Sequence, residues 1–274
     1  MTGMSDKGLT QKVLIVGTSH TGAFYMARER IKTGYPGLEV SYFGMPGRVF
    51  SAALFEDGIL RMADISARQL PWMDRQEIDF APFSLIIQVG ERFTLNHVMR
   101  LMAFHDVLEE DERSGRAPMS SAALTAFLTG MVQSRVDHIR GRFGADDRYC
   151  ILPAPYPLAR STAPGPKHEY GLTALSLRSF ADRWMARYEE IISERMQAAG
   201  LDVFLQPHET RAGQFMTQDR YARPGTDLTA PEGQVDHRHM NSDYGWQVFC
   251  AIAEHRLGLT PEGDALSTQQ QMTG

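Results

Sequence analysis

Short, largely β-branched apolar runs alternate with longer amphipathic stretches along most of this chain, and that alternation points to a sheet covered by helices. The runs are Lys12 to Val16, Leu38 to Phe43, Ser84 to Val89, Tyr149 to Leu152 and Asp202 to Leu205. Each reads as a buried strand, and most gaps between them hold a helix. The expected helices are Thr21 to Lys32, Leu95 to His105, Ser121 to Arg142, Leu175 to Ala199 and Asn241 to His255. Ser120 and Ser121 offer a cap for the third of these and Gly144 a stop, while Asn241 offers a cap for the last. The fold class expected is α/β, a three-layer sandwich around a central, mainly parallel sheet.

At 274 residues the chain is long enough for one large domain with a substantial core. We expect a single domain over residues 1–261 and a polar, frayed tail over residues 262–274. Two segments lack clean periodicity, Phe50 to Asp79 and the Pro/Gly-rich stretch Pro153 to Gly171, and long loops of this kind are often functional. The acidic run Glu109-Glu110-Asp111-Glu112 reads as a solvated loop or helix end. Trp184, Tyr188 and Ile192 recur at helical spacing and read as a packing stripe.

The formal net charge is -5, from 28 Lys+Arg against 33 Asp+Glu, and no basic block is interleaved with aromatics, so nucleic-acid binding lacks electrostatic support. The apolar runs fall well short of the roughly 18 residues of a membrane span, and no basic segment leads into a signal-like apolar stretch. The expectation is a soluble, cytoplasmic protein. Cys150 and Cys250 are isolated from one another and read as buried thiols rather than a disulfide.

The chemistry-bearing residues cluster near the two ends. Gly17-Thr18-Ser19-His20 follows the first apolar run, which puts Ser19 in the turn beyond a strand's carboxyl end, where open α/β sheets hold ligands. Asp236-His237-Arg238-His239 precedes the last helix, and an Asp three residues before a His lets one turn carry both side chains. Ser19, His239 and Asp236 could therefore form a nucleophile, base and orienting carboxylate. Other readings exist. Asp236 could cap a helix, with His239 packed beside it. His237 and His239 with Asp236 could ligate zinc, but His208 is the only further ligand to nominate, and no metal or other cofactor is expected. Gly17 to Gly22 lacks the Lys of a phosphate-cradling loop and the spacing of a dinucleotide fingerprint.

These blocks resemble those of the SGNH (GDSL-like) hydrolases. Gly17-Thr18-Ser19 is similar to the family's G-[DN]-S block, with Thr18 in place of Asp or Asn, and Asp236 to His239 is similar to its D-x-x-H block. Gly44-Met45-Pro46-Gly47-Arg48 follows the second run, where the family places an oxyanion-hole glycine, leaving Gly44 and Gly47 as alternatives. Gly90-Glu91-Arg92 follows the third, with Arg92 where the family's G-x-N has Asn. In outline the resemblance spans residues 12 to 257, and the run His239 to Gly245 resembles a subgroup found with bacterial surface-polysaccharide genes.

The resemblance implies a flavodoxin-like hydrolase fold, a nucleophilic Ser19, a general base at His239 oriented by Asp236, and oxyanion donors at the Ser19 and Gly47 amides and at Arg92. Arg is longer and permanently charged, so Arg92 could instead bind a substrate carboxylate or point to solvent. Arg48 could hold an anionic substrate group or a surface carboxylate, and Tyr156, just past the fourth run, could line the pocket. The activity implied is a serine esterase or acyltransferase acting on a small-molecule or saccharide ester, an O-acyl sugar being one such substrate. The alternative is a binding or scaffold protein in polysaccharide assembly that keeps the fold with weak or absent catalysis.

Overall fold

The computed structural model describes residues 10–63, 75–112, 114–163, 170–223 and 238–263. Its first half runs β1 (Gln11–Gly17), α1 (Thr21–Met26), α2 (Arg28–Gly34), β2 (Leu38–Gly44), α3 (Gly47–Ala52), β3 (Leu54–Glu56), β4 (Ile59–Arg61), β5 (Glu77–Asp79) and β6 (Leu85–Glu91). There follow α4 (Leu95–Phe104), β7 (His105–Val107), β8 (Ala117–Met119), α5 (Ser121–Phe143), β9 (Tyr149–Pro153), α6 (Tyr170–Ser176), α7 (Ala181–Ala198) and α8 (Ser242–Leu257). Much of the tail, residues 264–274, lies outside the described residues.

The central sheet has the order β2-β1-β6-β9 and is parallel throughout. Its inner strands are buried, β1 from Val13 onward and β6 along its whole length, because both faces are covered. On β1, Leu14 and Val16 pack into a core with α4, α5 and α7, while Val13 and Ile15 pack into a second core with α1, α2 and α8. All four residues are at most 1% exposed, and burying each side chain contributes roughly 1.5–3 kcal/mol. This is the α/β sandwich expected from the sequence. Its order matches the doubly wound arrangement, with the strand order reversing between β1 and β6, so the crevice beyond their carboxyl ends is the natural ligand position. Among the described residues no helix is long and apolar enough to cross a membrane.

The element ends follow local chemistry. Ser120 accepts a hydrogen bond from the Ala123 amide at 3.1 Å and caps α5, and Gly144 ends it. Asn241 does the same for α8 through the Tyr244 amide at 3.1 Å. Trp184, Tyr188 and Ile192 are all buried on α7, and Cys150 and Cys250 are free thiols, the first buried and the second half-buried.

Five expectations need correction. Asp202 to Leu205 makes only one bridge, Ile151 to Val203, before Pro207 and a 3-10 turn carry the chain away from the sheet. The helix expected from Thr21 is two helices meeting at Ala27, whose amide is shared between the Ala23 and Phe24 carbonyls, a tightening toward 3-10 geometry. The helix expected from Leu175 starts at Ala181 instead, because buried Arg178 holds Asp106 and Glu112, and the Ser179 amide donates to Glu112. The acidic run is correspondingly engaged. Glu109 accepts from the Ser121 amide at 2.7 Å, Glu110 pairs with Arg183 and accepts from Trp184 Nε1, and Glu112 holds Ser179. Finally, the aperiodic stretch after Phe50 contributes a small antiparallel sheet, β3-β4-β5.

Candidate active site

Ser19 sits in the turn between β1 and α1, one residue past Thr18, whose amide donates to the Val89 carbonyl at 3.0 Å and so ties the turn to the end of β6. On β6 the matching position is Gly90, at φ +97, where a Cβ would fall 2.0 Å from Thr18 Oγ1. The two loops therefore interlock only with glycine there.

His239 approaches from the opposite end of the sequence. The Ala222 to Met240 bridge and the cap at Asn241 hold its backbone, and its carbonyl accepts from the Arg223 amide at 3.3 Å. Its Nε2 lies 2.7 Å from Ser19 Oγ, across 220 residues of sequence. With the ring proton on Nδ1, the hydroxyl donates to Nε2, the geometry in which a base takes the proton from a nucleophile. Asp236 and His237 lie outside the described residues. A second ring shares this corner: His20 is buried, and its centroid is 5.2 Å from that of His239, with the planes inclined by 33°.

On the other side of Ser19 a cavity of about 770 Å³ opens between the loops after β1, β2 and β6. Gly47, Arg48 and Arg92 all line it, as does Ser19. Gly44 is not in the lining; it ends β2 beside Gly17, and the Met45 amide donates to the Gly17 carbonyl at 3.0 Å, which draws the β2 turn against Ser19. Neither the Ser19 nor the Gly47 amide donates to a described residue, leaving two N–H groups at the cavity.

Among the described residues the one carboxylate lining the cavity is Glu91, which the sequence did not single out. Glu91, the residue before Arg92, is buried and takes two hydrogen bonds from Arg135 on α5, at 2.6 and 2.8 Å. It also accepts the Arg92 and Phe93 amides, so the turn bearing Arg92 is built around its carboxylate. These bonds hold the Arg135 guanidinium above its ordinary range. A carboxylate closing an otherwise uncharged, buried strand was the available signal. Asn96 and His97, in the first turn of α4, line the same space.

Tyr156 is elsewhere. It is buried, its hydroxyl donates to Glu189 Oε1 at 2.8 Å, and Glu189 also takes Arg211 and Gln214. Burial, followed by the Glu189 charge, pushes the Tyr156 hydroxyl well above its usual range. It does not line the Ser19 cavity, because this polar cluster draws its hydroxyl beneath the loop.

No protein-family profile matches the chain, and no curated protein does. Among solved structures it is similar to a protein of Agrobacterium tumefaciens str. C58 provisionally named an arylesterase, at 14% identity and a TM-score of 0.37, with 90% of this chain and 99% of that one covered. It is also similar to the periplasmic domain of a lipopolysaccharide acetyltransferase of Salmonella ser. Paratyphi A, at 13% identity and a TM-score of 0.38, with 90% and 84% covered.

Proposed function

We propose that this protein is a serine esterase or acyltransferase of the SGNH type that works through an acyl-enzyme at Ser19. The observation that carries this reading is the 2.7 Å contact between Ser19 Oγ and His239 Nε2 at the carboxyl edge of the sheet. His239 takes the hydroxyl proton as Oγ bonds to the ester carbonyl carbon. The oxyanion that forms is met by the Ser19 and Gly47 amides, each such donor contributing on the order of 3 kcal/mol. As the bond to the alcohol oxygen breaks, the proton passes from His239 to that oxygen and the acyl group stays on Ser19. Water or an acceptor hydroxyl then attacks the acyl carbon, giving its own proton to His239, which returns it to Ser19. Asp236, three residues before His239, is the carboxylate we assign to Nδ1. The substrate class is a small-molecule or saccharide ester, and the site of action we propose is the cytoplasm.

Arg92 favours a second reading, a binding protein without turnover, since an exposed guanidinium stands where the SGNH pattern has a neutral amide donor. Intact-mass measurement after incubation with p-nitrophenyl acetate separates the two. An acetyl adduct that maps to Ser19 and is absent in Ser19→Ala supports the enzyme, whereas an unmodified natural chain with no nitrophenol release supports the binding protein.

A further inference from the structure

Resting on that reading of Ser19, we infer that the ester it takes carries a carboxylate or phosphate group, and that Arg48 is the residue that recognises it. Among the described residues, the cavity beside Ser19 is lined by three arginines, Arg48, Arg92 and Arg135, against the one carboxylate of Glu91. Glu91 and Arg135 neutralise each other through their paired bonds, which leaves Arg48 as a cationic side chain at the cavity of a chain whose net charge is -5. A concave positive surface on an acidic protein concentrates anions at that point.

Arg48 differs from several other arginines near the surface in having no carboxylate among the described residues. Arg61, Arg148, Arg187 and Arg256 each hold a carboxylate at 2.5 to 2.9 Å. Arg48 is exposed and pairs with no described residue. Its backbone is nevertheless fixed, because Arg142 Nη2 donates to the carbonyls of Phe50 and Ala53 at 2.7 Å each and pins α3 to α5. Arg48 directly follows Gly47 and lines the same cavity, so a substrate with its carbonyl oxygen at the Gly47 amide occupies the space that Arg48 borders. A planar guanidinium matches a carboxylate or phosphate with two parallel hydrogen bonds. The volume of about 770 Å³ also exceeds what a simple acyl ester fills and lies within the usual range for small-molecule sites, about 300 to 1,000 Å³.

The test compares three acetate esters on the full chain: 4-acetoxybenzoate, 4-acetoxyphenyl phosphate and, as the neutral partner, methyl 4-acetoxybenzoate. The expected result is a kcat/KM for at least one anionic ester on the order of tenfold above the neutral one, with added salt eroding the difference. The carboxylate and phosphate arms tell which anion is taken. In Arg48→Gln the preference falls several-fold toward unity, and Arg48→Lys restores part of it. Equal or better turnover of the neutral ester by the natural chain, or an unchanged preference in Arg48→Gln, would overturn the proposal. If no ester is turned over, the hydrolase reading has failed and calorimetry with 4-hydroxybenzoate and phenyl phosphate reads the anion site by itself. Binding that weakens in Arg48→Gln upholds the site, and no binding by the natural chain overturns it.

Discussion

Arg135 Nε and Nη2, on the long helix α5, donate to the two oxygens of Glu91 at the carboxyl end of β6, at 2.6 and 2.8 Å. Glu91 has a side chain only 4% exposed, so Arg135→Ala leaves a carboxylate away from water without its main partner. We expect a loss of about 3 kcal/mol, the low end for a broken buried pair because Arg135 is itself 34% exposed. Urea unfolding measures it, with Arg135→Lys recovering only part because one ammonium cannot satisfy both oxygens in the same way.

Asp106 gives the fold a dependence on acid. The Arg178 guanidinium, then the Ser114 hydroxyl and the Ser114 and Arg116 amides, hold its carboxyl well below the usual carboxylate range. A folded-state value below the unfolded one stabilises the protein at higher pH, and that stability is lost as the pH falls below about 4, where the unfolded chain begins to take up the proton. Thermal unfolding across this range should show Asp106→Asn well below the natural chain near neutrality and converging on it in acid. A constant gap at every pH would contradict the assignment.

Gly245 sets the distance between the helices adjoining the two site residues. A Cβ there would meet the Ala23 carbonyl oxygen at 2.2 Å, so Gly245→Ala must push α8 off α1. Ser19 precedes α1 and His239 precedes α8, and separating the helices should lengthen the Ser19 to His239 contact. We expect a stability loss of about 1–3 kcal/mol and a disproportionate fall in ester turnover, read on protein held well below its unfolding temperature.

Much of this architecture was legible because the signals are local. The β1 and β6 runs are apolar on both faces since both are covered, and the Ser120 and Asn241 caps need only a residue three positions on. The order of Ser19 and His239 also anticipated their meeting. What escaped depends on distant partners. Glu91 finds Arg135 across 44 residues, Tyr156 finds Glu189 across 33, and Glu112 finds Ser179 across 67. No periodicity marks such pairs in advance. The strands β3, β4 and β5 are three residues each, too short for alternation to register.

His20 is a positioning residue in this account. Its buried ring lies against His239, limiting the directions in which that imidazole can tilt away from Ser19. His20→Ala should lower kcat by on the order of ten- to a hundredfold, as small misplacements of a catalytic group do, with KM nearly constant. His20→Phe, which restores a ring, should recover most of the loss. Steady-state kinetics on an ester that the natural chain hydrolyses make the comparison.

Activation of Ser19 as a nucleophile by His239 can be read by labelling with a fluorophosphonate probe. The natural chain, Ser19→Ala and His239→Ala are treated side by side, each first shown to be folded by circular dichroism. We expect covalent labelling of the natural chain at Ser19 and none in either variant. A folded natural chain that takes up no probe, or labelling that persists in Ser19→Ala, would contradict it.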